Sequence, residues 1–302
     1  MPEPYLNLEG IHRLCDDLGD VETYGLSVAG RPLIAVRLPG VAAERTVAVT
    51  AGIHGIEHVG VAVALEVLRR GPLDGADLLV CPVLNPDGYA RAAEADGGLG
   101  VATQRKNARG VDLNRNFPLP YGARPSWLPV AGSRDPASAT YRGEAPLSEP
   151  ETAALAALLR VHRPWASANL HSFMGTLITA RVWERADWRG YTELGRAFRA
   201  GQGRRLGYPR LASAVGDVFT GELEDWQHHA LQCWGVCVEA FSVAESVRQH
   251  VRAPTAYWRF NPRDPGPVVQ RDASGVRAML IRALALPRPP ERADAMEVRA
   301  AW

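Results

Sequence analysis

The chain has 302 residues, 46% hydrophobic and 22% charged, an ordinary globular composition that excludes wholesale disorder. A domain of this length buries roughly three quarters of its unfolded surface, so it builds a core without disulfide staples. With 34 basic and 33 acidic residues the net charge is +1, which excludes a general nucleic-acid binder, a role that needs a basic excess. In chain order, Leu6, Ile11, Leu14, Cys15 and Leu18 recur at helical spacing and stop at Gly19. Residues 25–39 read as a hairpin turning at Gly30, Arg31 and Pro32. TVAVT, residues 46–50, is a short apolar strand; glycines follow, then a helix from about Ile56 to Arg70. Residues 78–84 form a second strand that ends in the turn signal Asn85, Pro86, Asp87, Gly88. Residues 120–146 are rich in Pro, Gly, Ser and Ala and predict a long loop. Ser148 and Glu151 have the spacing of a capping box, opening a helix to about His162. Strands follow at 165–170 and 177–182, helices at 188–200 and 226–233, a buried strand at 235–240 and a last helix at 270–284. The Pro- and charge-rich end from Pro287 predicts a loose tail. There are no internal repeats, and strands alternate with helices throughout. That pattern predicts one α/β domain with a central sheet covered by helices.

Cys15, Cys81, Cys233 and Cys237 are too sparse for a disulfide scaffold, and Cys233 and Cys237 have the wrong spacing for a zinc knuckle or redox pair. They predict reduced, buried thiols. The N-terminus shows no basic segment followed by an apolar run, and no stretch reaches the roughly 18 apolar residues needed to cross a membrane. The expectation is a soluble cytoplasmic protein with no membrane or nucleic-acid partner.

Four segments place polar side chains beside apolar strands. The first is HGIEH, residues 54–58, after the first apolar strand, where α/β proteins place ligands. His54, Glu57 and His58 are all metal donors, and two histidines with a carboxylate make a catalytic zinc set with one position left for water. The spelling also fits the inverted zincin motif, which needs both histidines on one helical face. Gly52 and Gly55 bracket His54 and point to a turn, with His54 on the loop and His58 inside the helix. Read alone, the segment is more simply a polar helix start. The second is NARGVDLNRNFP, residues 107–118, where Asp112, Asn114, Arg115 and Asn116 crowd around Leu113. A core strand would not tolerate this, and a solvated loop would not require it. Arg115 offers a planar fork for a carboxylate and Asn114 a directional donor; Arg105 lies nine residues before Asn114. The third is His171 in NLHS, at the end of an apolar strand, where a lone histidine is usually structural. The fourth is Glu239 in GVCVEAF. A carboxylate inside an apolar strand is unfavourable unless paired or protonated, and desolvation raises its pKa toward the range of a general base working near neutrality.

Taken together and in this order, the segments resemble the zinc metallocarboxypeptidase family, which includes carboxypeptidases A and B and the N/E-like enzymes. AGIHGIEH, NPDGYA, RKNARGVDLNRNFP, YRGEAPLSEPET, NLHS and GVCVEAF carry the resemblance from about Arg31 to Phe241, and DLNRNFP with SEPET is its most specific part. It implies a three-layer α/β/α sandwich around a mixed, roughly eight-stranded sheet. It implies one zinc per chain on His54, Glu57 and His171, with His58 a bystander. It also implies that Arg105 polarises the scissile carbonyl, that Asn114 and Arg115 grip the free carboxylate of a peptide or peptide-like substrate, and that Glu239 is the general base. The inverted zincin reading leaves DLNRNFP unexplained.

One position departs from the family. A tyrosine usually lies eight residues before the Asp-Trp pair, here Asp225 and Trp226; this chain has Asp217 there, and Phe219 is the nearest aromatic. The loop 215–221 must cap the substrate differently. Glu224, just before Asp225, occupies the position that in the family's digestive enzymes lies at the base of the pocket for the departing side chain. An acid there predicts a departing lysine, arginine or diamino acid; the plainer reading is an acid stabilised at a helix start. The same site serves a C-terminal exopeptidase, a cytoplasmic amidase resembling the murein-peptide amidases that cut a γ-D-glutamyl bond to a diamino acid, or an enzyme tailoring a small ribosomal peptide. A catalytically silent binding protein would have lost a ligand or the base, and all are present.

Overall fold

Strands at Arg45–Ala51 (β3) and Ala166–Ser172 (β6) lie side by side at the centre of the molecule in a computed structural model that describes residues 4–94, 100–120, 131–203, 207–211, 219–250, 255–291 and 296–297. Around them are β1 (Asp20–Leu26), β2 (Pro32–Leu38), β4 (Ala76–Cys81), β7 (Thr176–Thr179), β8 (Arg210–Leu211) and β9 (Trp234–Ala240). The eight form one mixed sheet in the order β1-β2-β4-β3-β6-β9-β7-β8. The run β4-β3-β6-β9 is parallel, and β2 and β7 join it antiparallel on either side. A two-residue ladder pairs β5 (Leu119–Pro120) with β10 (Met296–Glu297).

Period-2 alternation sorts the strand residues between two cores. Val47 and Val49 face the helices α2 (His58–Arg69), α6 (Arg185–Gly201) and α10 (Gly266–Leu284), where Val63, Phe198 and Leu280 meet them. Ala48, Leu79 and Cys81 face α5 (Pro150–His162) and α7 (Leu223–Leu231), against Leu155, Leu159 and Trp226. The architecture is the expected α/β/α sandwich. Among the described residues the remaining α-helices are α1 (Leu8–Leu18), α3 (Pro86–Glu94), α4 (Val101–Arg105), α8 (Val243–His250) and α9 (Ala256–Phe260). All four cysteines are free and buried.

Several expectations change in detail. The turn signal at Asn85–Gly88 opens helix α3: Asn85 Oδ1 accepts the Gly88 N–H at 2.9 Å and Pro86 takes the first helical position. The capping box does not form. Helix α5 starts at Pro150 after Glu149, while Glu151 accepts the Val28 N–H at 3.0 Å and Asn107 Nδ2 at 3.2 Å. The helix expected at 226 starts at Leu223. The end is not loose at 287–289: Trp234 Nε1 donates to Pro287 O at 2.9 Å, and Arg288 donates to Leu231 O and Arg163 O, the C-terminal ends of α7 and α5. Within the expected loops, residues 121–130 and 212–218, which include Asp217, lie outside the described residues.

Candidate active site

The chain runs from β3 to α2 and on to β4 on one side, while β6 lies on the other, so the strand order switches between β3 and β6. A crevice opens at such a point beyond the strands' carboxyl ends. His54 lies in the loop that leaves β3. Gly52, at φ +63°, turns the chain there, and a Cβ on Gly55 would sit 2.2 Å from the Gly88 carbonyl carbon, so only glycine fits between His54 and Glu57. Glu57 is the residue before helix α2, and His58 is the helix's first residue. His171 is next to last on β6, in register with Glu239 on β9, so the two side chains rise from one edge of the crevice.

Three donors converge. His54 Nδ1 is 2.8 Å from Glu57 Oε1, His171 Nδ1 is 3.1 Å from Glu57 Oε2, and the two Nδ1 atoms are 3.2 Å apart. Ligands around a tetrahedral zinc with bonds of about 2.0–2.1 Å stand roughly 3.3 Å apart, so one ion fits this triangle. Glu57 Oε2 is buried yet makes no hydrogen bond of acceptable geometry, an orphan that a cation would satisfy. Burial disfavours the Glu57 charge, but the two histidines hold its carboxyl far below the usual range, and burial lowers the pKa of His171. Burial and Arg105 oppose a charged His54, but Glu57 and Asp112 outweigh them and raise its pKa; a metal takes that proton's place.

His58 stays outside the triangle. It is fully buried, stacked on Tyr89 at 3.8 Å between ring centroids, with Nδ1 2.9 Å from the Tyr257 hydroxyl, and burial pushes its pKa down to about 3.

Asp112, named in the sequence only as one of four crowded polar residues, joins two parts of the site. His54 Nε2 donates to its Oδ1 at 3.1 Å, and Arg105 Nε donates to its Oδ2 at 2.8 Å. The first contact fixes the histidine tautomer that frees Nδ1 for a metal. The second aims Arg105, whose Nη1 lies 4.0 Å from Glu57. The signal available was a carboxylate two residues before Asn114 in an already crowded loop. Residues 148–152 brace that loop: Asn116 Oδ1 accepts the Thr152 hydroxyl at 2.6 Å, and Asn107 Nδ2 donates to Glu149 at 2.8 Å.

A cavity of about 290 Å³ lies over the donors, walled in part by Arg105, Asn114, Arg115, Phe219, Glu222 and Glu239. Burial pushes the Glu239 carboxyl up to about 7, with the Glu57 charge adding to the rise; His54, Arg105 and the Met174 N–H, which donates at 3.4 Å, pull the other way. Asn114 Oδ1 accepts the Leu223 N–H at 3.0 Å, which ties the 113–115 turn to the start of α7. Arg115 is 4% exposed, 3.4 Å from Glu222, with its guanidinium carbon 4.5 Å from the Phe219 ring centre. Beside Arg115 the acid that lines the cavity is Glu222, not Glu224. Glu224, in the first turn of α7, is fully buried, and its main chain packs on Gly235 of β9.

Phe219→Ala is expected to raise KM about 3- to 10-fold and change kcat less than about twofold, because a cation–π contact of ~1 kcal/mol orients Arg115 and not the reacting atoms. Steady-state kinetics at saturating metal check the split; a collapse of kcat at constant KM contradicts it.

Two imidazole donors and one carboxylate would hold a zinc ion with a position left for water, and a carboxylate whose pKa lies near neutrality beside them suits proton transfer. Fold and site together define a metal-dependent hydrolase. The zinc carboxypeptidase family profile matches residues 7–244, and the chain belongs to that family. It is 30% identical over 250 residues to murein peptide amidase A of Escherichia coli (strain K12), covering 80% of this chain and 91% of that protein. It is 30% identical over 202 residues to carboxypeptidase A6 of Mus musculus, covering 58% of this chain but 45% of that protein. The fold matches carboxypeptidase A from Helicoverpa armigera with a TM-score of 0.73 at 19% identity, over 93% of this chain and 74% of that one. It matches bovine thrombin-activatable fibrinolysis inhibitor, solved with tick carboxypeptidase inhibitor, with a TM-score of 0.74 at 21% identity, over 94% and 98% of the two chains. The enzyme is a zinc hydrolase, and no helix among its described residues is long and apolar enough to cross a membrane.

Proposed function

We propose that the whole chain is one catalytic domain that hydrolyses the amide bond next to a free terminal carboxylate, acting in the cytoplasm. The observation that carries this reading is the shared cavity: Glu239 stands in register with His171 on one side, and Arg115 lies on its wall. His54, Glu57 and His171 hold the zinc, which when bound supplies the Lewis acidity that makes water nucleophilic near neutral pH. Asn114 and Arg115 take the substrate carboxylate and set the scissile bond in place. Glu239 removes a proton from the attacking water and returns it to the departing amine. Arg105, aimed by Asp112, donates to the carbonyl oxygen as negative charge builds on it. The four buried thiols fit a reducing compartment.

The similarity to murein peptide amidase A, which spans nearly that whole protein, favours a γ-D-glutamyl-diamino acid as the substrate over a general peptide. Rates on a γ-D-glutamyl-diaminopimelate tripeptide against α-peptides ending in lysine, leucine or phenylalanine separate the two. Hydrolysis of none of them in zinc-loaded protein overturns both readings and favours the silent-binder alternative.

Glu222 on the cavity wall predicts a cationic departing residue. For substrates differing only in a terminal lysine or leucine, the lysine form is expected to be favoured about 10- to 150-fold, roughly 1.5–3 kcal/mol for a partly desolvated ion pair. Glu222→Gln should remove most of this preference and Glu224→Gln should keep it, because Glu222 lines the cavity and the fully buried Glu224 does not. The reverse result restores Glu224 as the specificity residue.

A further inference from the structure

We propose that Arg181 is a positioning residue for substrate-carboxylate recognition, acting through the main chain of Phe219; this rests on the reading that Arg115 grips the carboxylate. Arg181 follows β7, and its side chain is 13% exposed. Its guanidinium donates to the Phe219 carbonyl and lies 3.6 Å from Asp225 Oδ2. Its main-chain N–H donates to Asp225 Oδ1 at 2.6 Å, and its carbonyl accepts His229 Nε2 at 2.7 Å. Arg181 therefore joins the end of β7, the first turn of α7 and the residue that leads toward α7.

The segment 219–222 is held residue by residue. Thr220 donates twice to Ala131 O, from N at 2.9 Å and from Oγ1 at 2.8 Å. The Gly221 carbonyl accepts the Phe117 N–H at 3.1 Å, and Glu222 lies 3.4 Å from Arg115. At Phe219 the Arg181 guanidinium holds the carbonyl. A guanidinium is a rigid planar fork that reaches a carbonyl and a carboxylate at once, and a lysine ammonium is a single point that does not span both. Fixing the Phe219 backbone fixes its ring, and the ring, 4.5 Å from the Arg115 guanidinium carbon, sets the plane of that side chain. Two-point carboxylate binding depends on that plane, because both N–H bonds must point at the two oxygens.

The prediction concerns discrimination between a free carboxylate and its amide. On a matched peptide acid and peptide amide, Arg181→Met is expected to raise KM for the acid about 3- to 10-fold, keep kcat within about 3-fold, and lower the acid-over-amide preference by the same 3- to 10-fold. Arg181→Lys should fall between Arg181→Met and wild type; if Arg181→Met does not fold, a lysine variant with wild-type preference overturns the proposal. Calorimetric affinity for acetyl-lysine against acetyl-lysinamide should show the same loss without turnover. In a Phe219→Ala background, Arg181→Met should shift the preference by less than about twofold, since the ring that transmits the effect is gone. An undiminished loss there, or a wild-type acid preference in Arg181→Met, overturns the role of Arg181. Absence of acid preference in the wild type itself overturns the reading of Arg115.

Discussion

Glu239→Gln is expected to lower kcat by at least about 10²-fold, about 2.7 kcal/mol of barrier, while zinc content and melting temperature stay near wild type. The substitution keeps the side chain's size and an oxygen for the Met174 N–H, and removes only the capacity to take a proton. It also relieves a buried charge that the site otherwise holds close to Glu57, so folding does not suffer. The pH dependence follows from the same burial. The base must be ionised to work, so kcat/KM falls as pH drops through its pKa. Burial pushes that value up to about 7, and a divalent cation beside the carboxylate lowers it. The acid limb of kcat/KM therefore lies between the ordinary glutamate range and 7. Single-turnover rates on zinc-loaded protein measure the loss. A Glu239→Gln enzyme with near-normal turnover removes Glu239 from the role of base.

The sequence exposed this chemistry wherever unlike polar residues interrupt apolar strands. His54 follows one strand, and His171 and Glu239 stand near the ends of two others, which adjacent parallel pairing brings into register. The sheet-and-helix layering was legible for the same reason, since β3, β6 and β9 read as apolar runs bounded by turn signals. The missed features depend on tertiary partners. Asp112 looked like one of several polar loop residues; its role comes from His54 and Arg105 arriving from elsewhere in the chain. The Ser148–Glu151 spacing satisfied a local capping rule, but Val28 and Asn107 took the Glu151 carboxylate, and tertiary hydrogen bonds overrode the local one. Glu224 was expected from its position just before Asp225 in the family resemblance; that Glu222 lines the cavity depends on how the chain enters α7, which the resemblance does not carry. Arg181 lies outside every motif, and its contacts to Phe219 and Asp225 join residues 38 and 44 positions away.

His171→Ala is expected to abolish zinc binding, and His58→Ala to keep it close to one ion per chain. The two histidines are equally buried, and His58 adjoins Glu57 in sequence, so neither burial nor sequence proximity separates them. Geometry does. His171 Nδ1 stands 3.1 Å from Glu57 and 3.2 Å from His54 Nδ1, inside the triangle that one ion completes. His58 instead spends its ring on Tyr89 and its Nδ1 on Tyr257, at the first position of helix α2 and away from the other donors. Loss of one of three protein ligands leaves a two-point site that a chelator strips readily. Loss of His58 opens a cavity in an aromatic cluster and should lower stability by about 2–4 kcal/mol without touching the donors. Zinc content after dialysis against a weak chelator reads the first effect. The melting temperature reads the second, and it also reports binding, since a ligand that binds only the folded state raises it. Added zinc should therefore raise the melting temperature of the wild-type and His58→Ala apoproteins and leave that of His171→Ala unchanged. The opposite pattern, metal lost with His58 and kept without His171, would return the site to the inverted zincin arrangement and strip Glu239 of its place beside the metal.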